Sequence, residues 1–277
     1  MAKRKYSRRQ ATITPARIVI FAILVIAAIM MANSIAKDDA SNGSKDLTTD
    51  NLTDVKTSPD VPDIRKDYIG FNLSFNPKAH IPNWVAWELT ADEAVGKEPR
   101  AKKFQNDPTV DGCAETWDYS YSGYDRGHMA PAGGMKWSRE AMEESFYLTN
   151  ICPQANTLNS GSWRTLEEKC REWARKYGKI WIVCGPIIDG KPIEYIGDSR
   201  VYVPSKFFKA IIAPNAEHPL GIGFIMPNGK VKGGMQTCVV SIDSIESLTG
   251  HDFFYSLPDD LENDIESQHN LNRWSVR

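Results

Sequence analysis

Apolar residues alternate with polar ones, or form unbroken runs, at intervals from about residue 68 onward. Residues 71–75 and 84–89 show the alternation that is typical of half-buried strands. Residues 179–188 are almost continuously apolar, which indicates a buried strand. Further strands are predicted in the segments 146–148, 201–203, 207–213, 221–226 and 237–242.

The clearest helical pattern lies in residues 162–177. Its apolar side chains recur at spacings of three and four residues, at Trp163, Leu166, Cys170, Trp173 and Tyr177. A shorter helix is predicted within residues 241–249. Because strands are many, helices few, and no regular strand–helix–strand alternation occurs, the pattern predicts an α+β fold with a central, largely antiparallel sheet.

The first 36 residues differ from the rest, since they hold six basic residues and no acidic one. Residues 18–32 form an uncharged, almost wholly apolar run, an arrangement typical of a signal peptide or a signal-anchor. We therefore expect export, with the basic head in the cytoplasm. The chain would be either a single-pass membrane protein with its folded domain outside the cytoplasm, or a secreted or periplasmic protein cleaved after Ala36.

Composition divides the remaining chain into three segments. Residues 37–67 are rich in small polar and charged side chains, which predicts a flexible linker. Residues 68–255 hold the strand and helix patterns and are expected to form the folded domain. Residues 256–277 are expected to form an acidic C-terminal tail.

Charge is distributed unevenly. The whole chain has 33 basic and 35 acidic residues, and removal of the first 36 residues leaves 27 basic against 35 acidic, a net charge of −8. An acidic body argues at first sight against a nucleic-acid partner. Residues 100–179, however, hold 12 basic and 11 acidic residues, so a local basic groove is compatible with the sequence.

The five cysteines do not have the spacing of a metal site. No Cys-x-x-Cys or His-x-His pattern occurs, which argues against structural zinc. Disulfides would be allowed outside the cytoplasm, but an odd number leaves at least one thiol without an intramolecular partner.

The four residues Asp125, Arg126, Gly127 and His128 combine an acid, a guanidinium and an imidazole in one short segment. Histidine is the commonest general base near neutral pH, and arginine is well suited to hold phosphate oxygens. The pair therefore indicates chemistry on a phosphodiester.

A second polar segment, residues 146–167, leads into the predicted helix. It contains Asn150, Gln154, Asn156 and Asn159, and carboxamide oxygens are suitable ligands for a hard cation. Mg²⁺ keeps several of its waters in proteins and needs only one or two protein groups, so one well-placed asparagine could anchor it.

Together, the Asp-Arg-Gly-His motif and the Leu-Thr-Asn…Pro-Gln…Leu-Asn…Trp…Leu-Glu segment resemble the DNA/RNA non-specific endonucleases of the ββα-metal (His-Me finger) class, which includes endonuclease G-like enzymes. The resemblance covers about residues 68–255 and implies a metal-dependent nuclease that acts on DNA, RNA or both, with 5′-phosphate products. Mg²⁺ is the expected cofactor, with Mn²⁺ as a substitute.

The resemblance also implies residue roles. His128 matches the general base, Asn159 the direct metal ligand, and Glu167 a carboxylate that holds a metal-bound water. Five further positions match residues near the phosphate or supporting groups. Arg126 and Arg100 match transition-state arginines, and Arg171 matches a basic residue one helical turn after the glutamate. Asn150 matches a group that supports the site through hydrogen bonds, and Asp125 is expected to be a structural support.

Geometry restricts how Asn159 and Glu167 could share one ion. Eight residues of unbroken helix rise about 12 Å, so either a water bridge or a break near Gly161 is required.

Two other functions stay open. The first is a non-catalytic, membrane-anchored module on the same fold that binds or takes up nucleic acid. The second is a structural protein of the cell envelope. The sequence also leaves open the oligomeric state, with a homodimer as one option, and the preference for DNA or RNA.

Overall fold

The domain is built around a seven-stranded antiparallel sheet. The computed structural model describes residues 52–275. The strand order of the sheet is β1-β2-β3-β6-β9-β10-β11. These strands are Ile64–Asp67 (β1), Asn72–Asn76 (β2), Ile81–Thr90 (β3), Lys179–Pro186 (β6), Lys206–Ala213 (β9), Leu220–Pro227 (β10) and Val239–Val240 (β11). Two small pairs lie apart from it: Asp125–His128 (β4) with Ile151–Gln154 (β5), and Tyr195–Ile196 (β7) with Val201–Tyr202 (β8).

Four α-helices accompany the sheet in the described part of the chain. They are Arg139–Glu144 (α1), Arg164–Tyr177 (α2), Ile242–Thr249 (α3) and Asp259–Glu266 (α4). The α+β fold and the antiparallel central sheet predicted from the apolar pattern are confirmed.

Both faces of the sheet are buried, as β3 illustrates. Val85, Trp87 and Leu89 contribute to one apolar cluster, together with Trp163 and Leu166 next to and within α2. The alternate residues of β3 contribute to a second cluster on the opposite face, with side chains of α3, α4 and the N-terminal segment. Two-sided burial explains why the central strands are so apolar.

The boundary placed at residue 68 is wrong, because residues 52–67 belong to the folded domain. Leu52 and Val55 are buried in the second cluster, and β1 pairs with β2. Lys56 and Asp252 exchange two backbone hydrogen bonds of 2.9 and 3.0 Å, and their side chains form an ion pair of 2.8 Å. Polar composition suggested a linker here because only three residues of the segment, Leu52, Val55 and Ser58, are buried.

The acidic C-terminal segment is also folded over much of its length. It contains α4, and Trp274 is buried with its ring centroid 4.9 Å from that of Trp173. The tail prediction therefore fails for these residues, since a few apolar side chains attach an otherwise acidic segment.

The strand predicted at 146–148 is displaced. Tyr147 makes a single bridge to Gln105, a short helical turn covers Leu148–Asn150, and the strand itself is Ile151–Gln154. Similarly, only Val239–Val240 of the segment 237–242 is a strand.

Within residues 52–275 no helix is long and apolar enough to cross a membrane. The apolar run of residues 18–36 and the linker residues 37–51 lie outside the described part of the chain.

Candidate active site

The Asp-Arg-Gly-His motif forms a strand and not a loop. Strand β4 pairs with β5 in antiparallel register, with His128 opposite Ile151 and Gly127 opposite Cys152. Helix α2 follows β5 after a short irregular segment, which completes a ββα unit. Gly127 is required there, because a β-carbon would collide with the buried side chain of Gln154.

The helix is broken between Asn159 and Glu167. Residues 158–163 form a π-helical turn that is interrupted at Gly161, where the backbone angles are non-helical (φ −107°, ψ −118°). The regular α-helix begins at Arg164. Of the two arrangements that sequence geometry allowed, a break near Gly161 is therefore present.

The break allows both side chains to line one cavity of about 380 Å³. The cavity gathers six of the eight predicted site residues: Arg100, Arg126, His128, Asn159, Glu167 and Arg171. The wall also contains residues that the motifs did not indicate, among them Ser160, Arg164 and Glu168.

His128 is 8% exposed and lies against the rings of Phe104 and Phe146, at centroid distances of 5.3 and 4.8 Å. Its Nε2 makes no hydrogen bond to the described residues. Burial, with a smaller contribution from the charge of Arg100, lowers the pKa of His128 to about 3. The imidazole is therefore neutral at pH 7 and able to accept a proton.

Two arginines border the histidine. The Nη2 of Arg126 donates to the carbonyl of Thr116 at 2.6 Å, and its guanidinium lies 5.5 Å from the Tyr119 ring centroid. Arg100 is exposed, with its guanidinium 4.9 Å from the ring centroid of Phe146. Aromatic faces thus hold both cations near the cavity without neutralising them.

Asn159 is oriented by Asp125. Its Nδ2 donates to Asp125 Oδ2 at 2.9 Å, and the same oxygen accepts from Asn156 Nδ2 at 2.9 Å. Because the amide nitrogen is occupied, Oδ1 is the atom that Asn159 can offer to a ligand. A neutral oxygen donor with the Glu167 carboxylate in the same wall suits a hard divalent cation.

Glu167 is half-buried, and burial raises the pKa of its carboxyl to about 7 despite the opposing charges of Lys209, Arg171 and Arg100. Arg171 reaches back from α2, and its Nη1 would lie 2.8 Å from a β-carbon added at Gly133. The loop that follows His128 is therefore in contact with this guanidinium.

Asn150 and Asp125 do not line the cavity but support it. Asn150 is fully buried, accepts from Ala130 N at 2.8 Å, and donates to the carbonyls of Ala130 and Ser145 at 2.9 and 2.8 Å. These bonds fix the backbone directly after His128 and Met129.

Lys209 is a buried cation that the motifs did not reveal. It lies on β9, and its Nζ is 4.3 Å from the Trp163 ring centroid and 5.0 Å from that of Trp87. Its charge acts on Glu167. The available signal was a lone lysine inside the apolar run 207–213.

The five cysteines are free thiols in the structure, and Cys184 donates weakly to the Met129 carbonyl at 3.3 Å. Near the site, the buried Cys184 side chain therefore contributes packing and a weak hydrogen bond.

The fold and cavity contain the ββα arrangement of strands β4 and β5 and helix α2, and comparisons with known proteins identify the family. The model of the DNA/RNA non-specific endonuclease family matches residues 49–260, and the chain belongs to that family.

Several relatives are similar over most of the domain. Mitochondrial nuclease EXOG of Mus musculus is 38% identical over an alignment of 218 residues, and the alignment covers 72% of this chain and 59% of that protein. Mitochondrial endonuclease G of Homo sapiens is 33% identical over 67% of each chain. Nuclease C1 of Cunninghamella echinulata var. echinulata is 33% identical over 70% of this chain and 82% of its own.

Among solved structures, a chain of the EndoG/EndoGI complex superposes with a TM-score of 0.66 at 29% identity, covering 71% of this chain and 87% of its own. The chain spans about 59% of the length of the mouse and human EXOG relatives that it matches.

Proposed function

We propose that this protein is a metal-dependent endonuclease that hydrolyses phosphodiester bonds of DNA and RNA with little sequence preference. The observation that carries the proposal is a neutral, buried His128 that shares one cavity with four arginines, Asn159 and Glu167. Binding alone does not require a general base, so this arrangement favours catalysis over a non-catalytic binding module.

In the proposed reaction, neutral His128 accepts a proton from the water that attacks phosphorus. Its aromatic surroundings keep the imidazole from being protonated beforehand. Arg126 and Arg100 offset the negative charge that develops on the phosphate oxygens. Arg171 holds the loop after His128 against helix α2.

Asn159 would hold the cation directly through Oδ1, and Glu167 would hold it through a water. When bound, Mg²⁺ would polarise a phosphate oxygen and stabilise the leaving 3′ oxygen. We propose Mg²⁺ as the natural ion, with Mn²⁺ as a substitute, since both favour oxygen ligands.

A second cavity, of about 570 Å³, extends the substrate surface. Arg100 lines this cavity as well as the active site, and Lys102 and Lys103 line it beside Arg100. The wall also contains Glu98 and an ion pair of 3.0 Å between Arg139 and Glu143. A polynucleotide that places one phosphate near His128 would place neighbouring phosphates near Lys102 and Lys103. Contacts of that kind position the backbone and carry no direct sequence information, which supports low sequence specificity.

Cleavage of plasmid DNA and of RNA by the purified full-length chain tests the proposal. Wild type should cut both in Mg²⁺ and stop when EDTA is added. H128A should lose cutting by about 10²–10⁴-fold, because general-base catalysis contributes that much. H218A is the matched control, since His218 is exposed and does not line the cavity, and it should cut like wild type.

Full activity of H128A would contradict the assigned base. Binding of DNA without cutting by wild type, in either Mg²⁺ or Mn²⁺, would favour the non-catalytic module.

We also propose that the chain is exported, supported by the basic head and the apolar run of its first 36 residues. N-terminal sequencing of the mature protein distinguishes a retained anchor from cleavage after Ala36. A homodimer stays an open prediction that sedimentation analysis would test.

A further inference from the structure

Three carboxylates meet on the face of the sheet opposite to α2. Asp243 and Glu246 belong to α3, and Glu266 is the last residue of α4. One oxygen from each lies within 4.8 Å of the others. Glu266 follows Glu246 by 20 residues and Asp243 by 23 residues, so tertiary packing, not local sequence, brings the three side chains together.

Glu266 provides a second, independent observation. Only 5% of the residue is exposed, and its Oε1 makes no hydrogen bond to the described residues. A buried carboxylate oxygen without a partner destabilises the fold, because it loses its hydrogen bonds to water and forms none within the protein. This oxygen belongs to the group that meets Asp243 and Glu246.

Further acidic residues surround Glu266. Glu246, Glu262, Asp243 and Asp252 all place negative charge near its carboxyl group. Lys56 lies on this side of the domain, but its ammonium pairs with Asp252 at 2.8 Å. The cluster thus contains more negative charge than its protein neighbours balance.

The two helices are seated rigidly on strand β10. A β-carbon at Gly221 would collide with the backbone of Ile265 in α4, and one at Gly223 would lie 2.8 Å from Ile245 of α3. Glu246 is fixed further, since its Oε1 accepts from Phe253 N at 2.6 Å. The carboxylates are therefore held by close backbone packing, and the second oxygen of Glu246 is left for a ligand.

We propose that Asp243, Glu246 and Glu266 form a divalent-cation site, separate from the active site, that binds Ca²⁺ and ties α4 to α3. Three carboxylates on one ion suit Ca²⁺ better than Mg²⁺, which usually keeps several waters and takes one or two carboxylates. Two oxygens across one Ca²⁺ are at most about 5 Å apart, so the observed spacing needs little rearrangement. The site does not rest on the proposed nuclease activity.

Calcium titration and thermal melting of the full-length N159A protein test the site, because N159A removes the other proposed metal ligand. After dialysis against EDTA, calorimetry should show one Ca²⁺ bound per chain. At a Ca²⁺ concentration about a hundred times Kd, Tm should rise by roughly 5 °C.

E266Q and D243N, each added to N159A, should abolish both the binding heat and the rise in Tm. Asp243 is exposed, so D243N can be interpreted even if E266Q folds poorly. E140Q is the matched control, since Glu140 is an exposed carboxylate on α1 outside the cluster, and it should respond to Ca²⁺ like N159A alone.

Absence of both Ca²⁺ responses in N159A would overturn the proposal, as would an equal response in D243N. So would an E266Q protein that melts above its parent in EDTA while the parent ignores Ca²⁺, since Glu266 would then be an ordinary protonated carboxyl.

Discussion

Asp125 acts on the proposed cation only through Asn159, so its contribution is measurable as metal affinity. The D125A substitution removes the acceptor that holds Asn159 Nδ2 at 2.9 Å and lets the carboxamide rotate. The Mg²⁺ concentration that gives half-maximal cutting should rise by roughly 10–100-fold, with most of the rate restored at saturation.

D125N keeps an acceptor oxygen at this position and should lie between D125A and wild type. An unchanged Mg²⁺ requirement in D125A, or a loss that excess Mg²⁺ does not repair, would show that Asp125 does not act through the ligand.

Asn150 holds the backbone after His128 with three buried hydrogen bonds. N150A leaves the N–H and C=O of Ala130 and the C=O of Ser145 without these partners, so the free energy of unfolding should fall by about 3 kcal/mol. Urea denaturation measures the change. N106A, at an exposed asparagine, should change stability by less than about 0.5 kcal/mol, and a similarly small effect at Asn150 would refute its clamping role.

At this scale the sequence was most informative where two motifs support each other. Strand register places Arg126 and His128, and helix periodicity places Glu167 and Arg171, so the spacing within each motif converts directly into position. Arg100 and Asn159 line the same cavity from segments outside both elements. Lys209 escaped prediction because it comes from a strand of the main sheet, and no local pattern connects it to α2. The acid cluster was missed for the same reason, since α3 and α4 meet only after folding.

Among the elements, the docking of the segment around Ser58 depends on His251, whose imidazole must stay neutral to accept a hydrogen bond. The Nδ1 of His251 accepts from Ser58 N at 3.0 Å, and burial lowers the pKa of His251 to about 4. The unfolded chain takes up this proton from about pH 6.5, whereas the folded protein resists it. The stabilisation is therefore full above pH 6.5 and is lost as the pH falls towards 4.

H251N keeps an acceptor for Ser58 N but does not titrate. Between pH 6.5 and 4, wild type should lose about 3 kcal/mol more of its unfolding free energy than H251N does. Urea denaturation at several pH values measures the difference. H269N changes an exposed histidine and should follow wild type, and parallel pH curves for wild type and H251N would contradict the prediction.

The predicted boundaries of strands and linkers were wrong where tertiary contacts, and not local composition, determine the structure. Strand β5 contains Pro153, which lowers strand propensity, yet it pairs with β4 as half of an isolated two-stranded unit where a proline is tolerated. Residues 52–67 are polar enough to suggest a linker, although Leu52 and Val55 anchor them in the second cluster. The regular, strongly amphipathic α2 was predicted to within two residues of its start.

For the molecule as a whole, contacts with nucleic acid should be confined to the basic residues near the active site, because residues 37–277 carry a net charge of −8. Neutralising Lys102 and Lys103, which line the cavity beside Arg100, tests this. In an H128A background, K102Q/K103Q should bind DNA more weakly, and the slope of log K against log salt should fall by roughly 1 for each lost phosphate contact. Titration at several salt concentrations measures the slope.

K230Q/K232Q makes the same charge change at exposed lysines between β10 and β11. It should keep the wild-type slope. Equal effects of the two double variants would mean that general charge, and not the second cavity, attracts the substrate.

The pairing of Lys56 with Asp252 joins positions 196 residues apart. During synthesis Lys56 must therefore wait for its partner until almost the entire chain has emerged, with Leu52 and Val55 not yet covered by the C-terminal helices. This early segment of the domain is among the last parts to dock, so completion of the fold depends on the arrival of the C-terminal helices.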